Sequence, residues 1–221
     1  MDLLKFELFT PCTTFKAPLS LKGIETYPLP PPSTIIGLLY TALGIKWEGE
    51  KFRLSIQGDF ECIFRDYMRM RKYNRKDKEL SPLPLEVPRL YNFRAVIHVS
   101  AEDKGLLEDF LKGLQGPKTY LFLGGGEYPV LVKSPRMVKA KREYVEEERL
   151  KRSAFLSDED RKKLFVDEGG IQFRVTTFCV VENGVRDCEW IDVFYVSKGQ
   201  IFEDGEVLKD EEGDQVWLLS M

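Results

Sequence analysis

Cations interleaved with aromatic rings are the residue types of this chain with the clearest chemical potential. From Arg65 to Lys78 there are seven basic residues against two acids, and two tyrosines lie among them. Cations bind phosphates and rings stack on unpaired bases, which is how single-stranded RNA is recognised. The sequence therefore predicts RNA contacts from Arg65, Arg69, Arg71 and Lys72. The alternative is that the run is only a solvated surface.

A run of three glycines offers a second kind of contact. Gly124, Gly125 and Gly126 would let the backbone approach a sugar-phosphate closely, with N–H groups free to donate. A tight turn between two strands explains the same run equally well. The run lacks the Lys-Ser/Thr of a nucleotide-triphosphate loop. A second basic group begins seven residues later and adds Lys133 and Arg136 to the predicted RNA contacts.

Composition narrows the functional classes. Of the 221 residues, 43% are hydrophobic and 31% are charged, which is typical of a globular protein with a core. No apolar run reaches the roughly 18 residues of a membrane span, and the first residues lack the layout of a signal peptide. The four cysteines form no C-x-x-C pair and have no histidine companions. We therefore expect reduced thiols in a cytoplasmic protein, without a metal or another cofactor.

The net charge of −3 hides a segregation of charge along the chain. Residues 203–214 contain seven acids and one lysine, opposite in sign to the basic run. A segregated chain can present a basic face while its total stays acidic. The net charge therefore does not exclude an RNA partner.

The segment Thr26–Gly44 is predicted to position some of these groups. Its four prolines favour an extended approach, Ser33 is placed to cap a helix over 33–44, and Gly44 ends that helix. Gly37 indicates a close approach, either of another packed element or of a ligand phosphate at the helix N-terminus. The polar loop before this segment adds two candidate RNA contacts, Lys16 and Lys22.

Hydrophobic periodicity gives the order of the elements. The predicted strands cover Leu4–Phe9, Phe52–Phe64, Arg89–Ser100 and Tyr120–Leu123, and the predicted helices cover 33–44 and 101–116. A further strand is predicted over Val130–Lys133, after the glycine run. This order is the β-α-β-β-α-β pattern of a ferredoxin-like fold, which RNA-recognition modules share. The lone histidine, His98, falls within a predicted strand, where we expect a structural role.

Residues 66–88 interrupt that order. The stretch is too basic to pack and is broken by three prolines, which indicates an irregular excursion between two strands. Residues 134–163 are charged and are predicted to be a partly helical linker. Strand patterns follow, with a hairpin turn at Asn183-Gly184. The predicted fold class is therefore α+β, with a ferredoxin-like (RRM-like) domain over 1–133 and a smaller antiparallel β region within 134–221.

Three stretches in this order resemble a known family. They are an N-terminal strand, the segment TYPLPPPSTIIGLLYTALG and the later LFLGGGEYPVLV. Together they are similar to the Cas-five family of repeat-associated RAMP proteins, which are small subunits of CRISPR Cascade complexes. The resemblance covers the whole chain in order and length. It implies a ferredoxin-like N-terminal domain, a thumb formed by residues 66–88, and a smaller C-terminal β region.

The resemblance also implies a function in antiviral defence. Members of the family hold the 5′ handle of the guide RNA (crRNA) against the first helix and the glycine loop. The implied partners are the Cascade backbone subunit and large subunit, with contact to target DNA near the PAM allowed and no membrane involved. On this chain the implied RNA contacts are Tyr27, Ser33, Gly124 to Gly126 and the basic thumb residues.

One branch of the family is a metal-independent endoribonuclease that processes repeat RNA with a tyrosine, a lysine and a histidine. Such cleavage needs a base to activate the 2′-OH and a cation for the developing charge. Tyr40 and Lys118 match the first two residues, but Thr119 stands where the histidine is wanted. We therefore expect a noncatalytic RNA-binding subunit. The endoribonuclease and a plain scaffold that barely touches RNA remain as alternatives.

Overall fold

The protein is built on one antiparallel sheet, and four strands form the centre of that sheet. The computed structural model describes residues 1–18, 24–74, 76, 78–164, 169–183 and 185–221. In chain order its elements are β1 (Asp2–Thr13), α1 (Pro32–Leu43), β2 (Arg53–Asp59), β3 (Cys62–Asn74), β4 (Glu79–Ser100), α2 (Lys104–Gln115), β5 (Leu131–Arg149), β6 (Ser153–Leu156), α3 (Asp158–Leu164), β7 (Ile171–Glu182), β8 (Val185–Val196), β9 (Ile201–Asp210) and β10 (Gln215–Val216).

The strands pair in the order β10–β9–β5–β1–β4–β2–β6–β8–β7, and β3 pairs with β4 beside this path. Every pair is antiparallel. The predicted α+β class is therefore confirmed, with much more strand than helix.

The main core lies between the central strands and the two long helices. Leu4, Phe6 and Leu8 alternate along β1 and are buried, as predicted for a strand in this place. They form one cluster with side chains of both helices, among them Leu39 of α1 and Phe110 of α2. Each fully buried side chain of this size stabilises the fold by about 1.5–3 kcal/mol. Asp210 at the end of β9 and Asp214 just before β10 contact Lys5 on the other face of β1.

Helix α1 begins differently from the prediction. Pro31 is the N-cap and Pro32 is the first helical residue, a position where a missing N–H costs nothing. The hydroxyl of Ser33 lies instead 2.6 Å from Oγ1 of Thr176 on β7. The prediction that Ser33 caps the helix is therefore wrong. Gly44 ends the helix with φ 69°, as predicted.

Gly37 lies on the exposed side of α1. A Cβ built on this residue would meet nothing within 4 Å. The interpretation that another element of this chain packs closely on Gly37 is therefore wrong for the described residues.

Residues 62–91 form a long two-stranded hairpin, which we call the thumb. Residues 62–74 of β3 pair with 79–91 of β4 in one uninterrupted register. The prediction of an irregular excursion over 66–88 is therefore wrong. The prolines are tolerated because they occupy alternate positions of β4, so that their missing N–H groups fall on one edge. On that edge β1 pairs with β4 only from Leu90 onward, beyond Pro82, Pro84 and Pro88.

The region after α2 also departs from the predicted pattern. The strand predicted over Tyr120–Leu123 is wrong, because this stretch contributes only one isolated bridge, between Phe122 and Pro129. The next strand of the central sheet is β5, whose start confirms the strand predicted at Val130–Lys133. It continues to Arg149, so the first half of the predicted linker is strand. β5 pairs with β1 and then with β9, and these ladders override its weak hydrophobic pattern.

The later strands extend the central sheet on both sides. β9 and β10 lie beyond β5, whereas β6, β8 and β7 follow β2. The predicted hairpin joins β7 and β8 next to Asn183, although Gly184 lies outside the described residues. Among the described residues, no helix has the length and apolar character to cross a membrane.

The β7–β8 hairpin corrects the expectation for the cysteines. Its register places Cys179 directly opposite Cys188, and the two form a disulfide. The prediction of reduced thiols is wrong for this pair, because the spacing in sequence does not show which residues face each other across a turn. Cys12 and Cys62 are free thiols.

Candidate nucleic-acid interface

One face of the thumb carries most of the predicted cations and rings together. Successive side chains of a strand point to opposite faces, so residues two apart share a face at a spacing of about 6.6 Å. Two of the residues on this face, Tyr67 and Tyr73, are 75% and 55% exposed. The exposed cations and aromatic rings that share this face of β3 are, in order, Arg65, Tyr67, Arg69, Arg71 and Tyr73.

Two of these cations have no carboxylate partner in the described part of the chain. Arg65 lies 3.4 Å from the carboxylate of Glu86 across the hairpin, an exposed pair of the kind worth about 0–1 kcal/mol. Arg69 and Arg71 form no salt bridge with a described residue. The side chain of Lys72 lies outside the described part. The thumb therefore presents positive charge that the described residues do not neutralise.

The opposite face of the thumb meets the glycine turn. Arg89 of β4 faces this way, with its guanidinium 2.9 Å from Asp66 and 5.2 Å from the ring centre of Tyr128. Tyr128 follows the glycine run closely in sequence. The structure therefore does not bring the thumb cations and the glycine turn onto one face of the hairpin. A ligand that contacts both must pass around an edge of the thumb.

The glycines differ in what surrounds them. Gly124 has φ +89°, and a Cβ there would lie 2.5 Å from the carbonyl oxygen of Thr14, so a larger residue is excluded. The carbonyl oxygen of Leu123 accepts a hydrogen bond from Thr13, which fixes the turn at the end of β1. A Cβ on Gly126 would meet nothing within 4 Å. These contacts favour the tight-turn interpretation for Gly124 and leave Gly126 as open backbone.

The candidates at the start of α1 are largely inside the protein. Tyr27 is 6% exposed, and its hydroxyl donates to the carbonyl oxygen of Arg174. Together with the bond between Ser33 and Thr176, this contact places β7 against the start of the helix. Tyr27 is therefore buried against β7, whereas Ser33 is half-buried and its hydroxyl is engaged by Thr176.

The remaining candidate cations are scattered. Lys16 is exposed beside a single bridge to Thr26, and Lys22 lies outside the described residues. Lys133 is exposed, with its ammonium 5.4 Å from the ring centre of Phe9.

Three of the seven acids near the C-terminus are paired with one buried cation within the protein. Lys5, only 1% exposed, places its ammonium 2.5 Å from Asp210 and 2.7 Å from both Glu212 and Asp214. We call these four residues the Lys5 cluster. The carboxylates are close enough to share a metal ion, but they surround this ammonium instead. The predicted RNA contact Arg136 is also engaged here, because it is paired with Glu212.

The charges of the Lys5 cluster support one another. Burial opposes the charge on Lys5, but the hydrogen bonds with Asp210, Asp214 and Glu212 outweigh it and raise the pKa of the ammonium. The hydrogen bonds from Arg136 and then from Lys5 lower the pKa of Glu212 to about 2. The cluster therefore stays ionised at neutral pH.

The candidate catalytic residues are not assembled into a site. Tyr40 is 4% exposed, and its hydroxyl donates to a carboxylate oxygen of Glu50 at 2.9 Å. Burial, and then the bond to Glu50, raise the pKa of this phenol. No hydrogen bond or ion pair joins Lys118 to Tyr40 in the described part of the chain. His98 is fully buried, with Nε2 3.1 Å from Asp210.

Sequence reasoning missed two residues near these surfaces. In sequence, Arg89 is only the first residue of a predicted strand. Phe9 is only the last residue of the first predicted strand, although its position along the strand places it on the face opposite the buried residues Leu4, Phe6 and Leu8. A large apolar residue on the polar face of an amphipathic strand was the available indication.

Comparison with known proteins identifies the family. The family model described as CRISPR-associated protein (Cas_Cas5) matches residues 3–197. No curated protein matches the chain in sequence. A chain from a CRISPR RNA-guided surveillance complex is similar in structure, with a TM-score of 0.63 and 10% identity over 91% of both chains. A CRISPR protein from Archaeoglobus fulgidus has a TM-score of 0.51 and 11% identity over 100% of both chains. Because the family match covers most of its length, the chain belongs to the CRISPR-associated Cas5 family.

Proposed function

We propose that this protein is a noncatalytic Cascade subunit that binds the 5′ handle of the crRNA and anchors the backbone and large subunits. The observation that carries the proposal is the thumb face on which exposed arginines and tyrosines share one side of β3. Family membership supports a CRISPR role. The similar chain from an RNA-guided surveillance complex supports assembly with other subunits.

We further propose that residues 1–133 form a ferredoxin-like unit and that 134–221 add a separate C-terminal region. In support, β1, α1, β2, β4, α2 and β5 have the βαββαβ order once the thumb strand β3 is left out. The last of them, β5, begins at Leu131 and continues past residue 133 into the C-terminal region. At the centre of the sheet these strands lie side by side in the order β5–β1–β4–β2, so β1 and β4 lie between β5 and β2.

The proposed binding is electrostatic with stacking. Arg69 and Arg71 would neutralise phosphates and release counterions, whereas Tyr67 and Tyr73 would stack on unpaired bases. Lys5 and Arg136 neutralise part of the acidic run, which reduces its repulsion of the RNA phosphates.

The proposal is tested with the double variant Arg69→Glu/Arg71→Glu and a labelled handle RNA. Loss of two phosphate contacts flattens the plot of log affinity against log salt by about 1.4, since each contact on a single strand contributes about 0.7. A matched control is Lys104→Glu/Lys112→Glu on α2, which makes the same change in charge elsewhere. Equal affinities and salt slopes for the two double variants would remove the thumb from the proposal.

The endoribonuclease alternative is disfavoured by Tyr40, which is buried and held protonated beside Glu50. Purified protein incubated with repeat RNA in a chelator should leave the RNA intact. A discrete cut that disappears in Tyr40→Phe or Lys118→Ala would establish the enzyme instead. Crosslinking addresses the plain scaffold, which predicts no RNA adducts on the thumb.

A further inference from the structure

We propose that a cleft on the helix-free face of the central sheet binds one unpaired nucleotide of single-stranded RNA. Phe9 would stack on its base, and Arg94 and Lys133 would bind its phosphate. The inference rests on the proposed RNA-binding function and adds to it a site away from the thumb face.

The cleft exists because the C-terminal segment covers only part of this sheet face. Lys5, Glu7 and Phe9 share the face, since they alternate along β1. The acids of the Lys5 cluster cover Lys5. From Glu7 to Phe9 the face is open, and a cleft of about 590 Å³ lies over it. The cleft is large enough for a single nucleotide, in the size range of small-ligand sites.

Phe9 is the aromatic surface of this cleft. Its ring centre lies 5.8 Å from the guanidinium carbon of Arg94 and 5.4 Å from the ammonium of Lys133. These distances are within the range of cation–π contacts. Arg94 and Lys133 are exposed and form no salt bridge with a residue that the structure describes. Ring and cations together match the base and the phosphate of one nucleotide.

The carboxylates that line the cleft are already engaged. Asp59 accepts a hydrogen bond from the hydroxyl of Ser153, and Glu61 accepts one from the amide of Asn92. The third lining carboxylate, Glu7, interacts with the guanidinium of Arg136. Neutral donors hold Asp59 and Glu61 in place but leave them charged. Four cations line the same cleft, one more than the three carboxylates, so the lining is positive on balance; they are Arg94, Lys133, Arg152 and Lys198.

The cleft also adjoins the thumb. Glu61 immediately precedes β3, and Asn92 immediately follows the last β4 residue paired with it. Both line the cleft. A strand held along the thumb can therefore continue into this site, which favours a nucleotide of the same RNA over a free anion.

Equilibrium binding of a short fluorescein-labelled oligouridylate to the full chain tests the inference. Phe9→Leu should weaken binding about ten-fold at every salt concentration, because stacking is not ionic. Phe9→Tyr, which keeps the ring, should bind as the wild type does. Arg94→Gln/Lys133→Gln should flatten the log–log salt slope by about 0.7, the value for the one phosphate that the two cations share. Lys112→Gln on α2 is the control for loss of an exposed cation.

Three results would contradict the proposal that the cleft binds a nucleotide. They are unchanged affinity of Phe9→Leu, an equal loss in Phe9→Tyr, and an unchanged salt slope of the Arg94/Lys133 double variant. If Arg69→Glu/Arg71→Glu loses binding while Phe9→Leu retains it, the proposed function stands and only the cleft fails. If the wild type binds neither oligouridylate nor handle RNA, the proposed function fails and the cleft fails with it.

Discussion

The thumb and the Lys5 cluster contain two charge runs that are similar in sequence but differ in how the fold pairs their charges. Each run contains seven charges of one sign, basic over 65–78 and acidic over 203–214. In the acidic run, Asp210, Glu212 and Asp214 converge on one buried ammonium. In the basic run, Arg69 and Arg71 remain exposed and form no salt bridge with described residues. A charge run is therefore available to a partner only where the fold does not supply its counterions.

The two regions also differ in what the charges do for stability. The Lys5 cluster joins β1 to the segment after β9, and Lys5 is fully buried. The thumb is held mainly by the ladder between its own two strands. We therefore expect changes in the cluster to alter folding and changes in the thumb to alter binding.

The largest effect is expected from Lys5→Met. Removing this ammonium leaves three carboxylates close together without their shared cation, which should lower the free energy of unfolding by about 3–5 kcal/mol. Urea denaturation measures this change. The control is Lys104→Met, which removes an exposed partner of Asp2 and should cost less than about 1 kcal/mol. Equal stability of the two variants would break the comparison.

Acid should remove the same contacts gradually. The pKa of Glu212 is lowered to about 2 from its ordinary 4.5. Burial raises the pKa of Asp214, but its bonds with Lys5 and Arg152 outweigh this and lower it. A carboxyl with a depressed folded pKa contributes stability above its unfolded pKa, and loses it as pH falls toward the folded value. The melting temperature should therefore fall between about pH 4.5 and pH 2, more steeply in the wild type than in Lys5→Met. Parallel acid profiles would show that the cluster contributes nothing.

Shortening the thumb should weaken RNA binding and leave stability nearly unchanged, the reverse of what we expect for the Lys5 cluster. Replacing residues 69–84 by Asn-Gly, a favoured two-residue hairpin turn, keeps the pairing at the base. We expect the free energy of unfolding to change by less than about 1 kcal/mol, because exposed hairpin ends carry little of the core. The affinity for handle RNA should fall at least about ten-fold, since six basic residues, Arg69 and Arg71 among them, and one tyrosine are lost. A large loss of stability with unchanged affinity would invert the roles assigned to the two regions.

The smallest effect is expected from Arg65→Gln. Its pair with Glu86 is exposed at both ends and 3.4 Å long, so its loss should change the free energy of unfolding by less than about 0.5 kcal/mol. Thermal melting of Arg65→Gln beside Glu86→Gln measures this. A change of several degrees in both variants would show that thumb ion pairs matter for folding as the Lys5 cluster does.

Local patterns were sufficient for the elements near the centre of the sheet. The alternation of Leu4, Phe6 and Leu8 predicted β1, and Gly44 predicted the end of α1. The start of α1 was wrong in detail, because Pro32 fits the first turn without a capping hydroxyl. The prediction of an irregular excursion in the thumb was wrong, because prolines at alternate positions are compatible with an edge strand.

Long-range arrangements could not be predicted in this way. Nothing in the residues around Lys5 indicates that it lies among acids more than two hundred positions away. The face on which Gly124 meets Thr14, and the side of the thumb on which Arg89 lies, depend on pairing between distant strands. Of the candidate site, the residue types of the thumb were predictable, but the separation of its cations from the glycine turn was not.

The span of the Lys5 contact has a consequence for how the protein is made. Lys5 and Asp210 are 205 positions apart. During synthesis the ammonium on the first strand emerges from the ribosome long before the acids that surround it. Contacts between such distant positions form slowly, because a long loop must close first. The part of the helix-free sheet face around Lys5 therefore stays exposed until residues 210–214 have emerged from the ribosome. Covering it is a late step of folding.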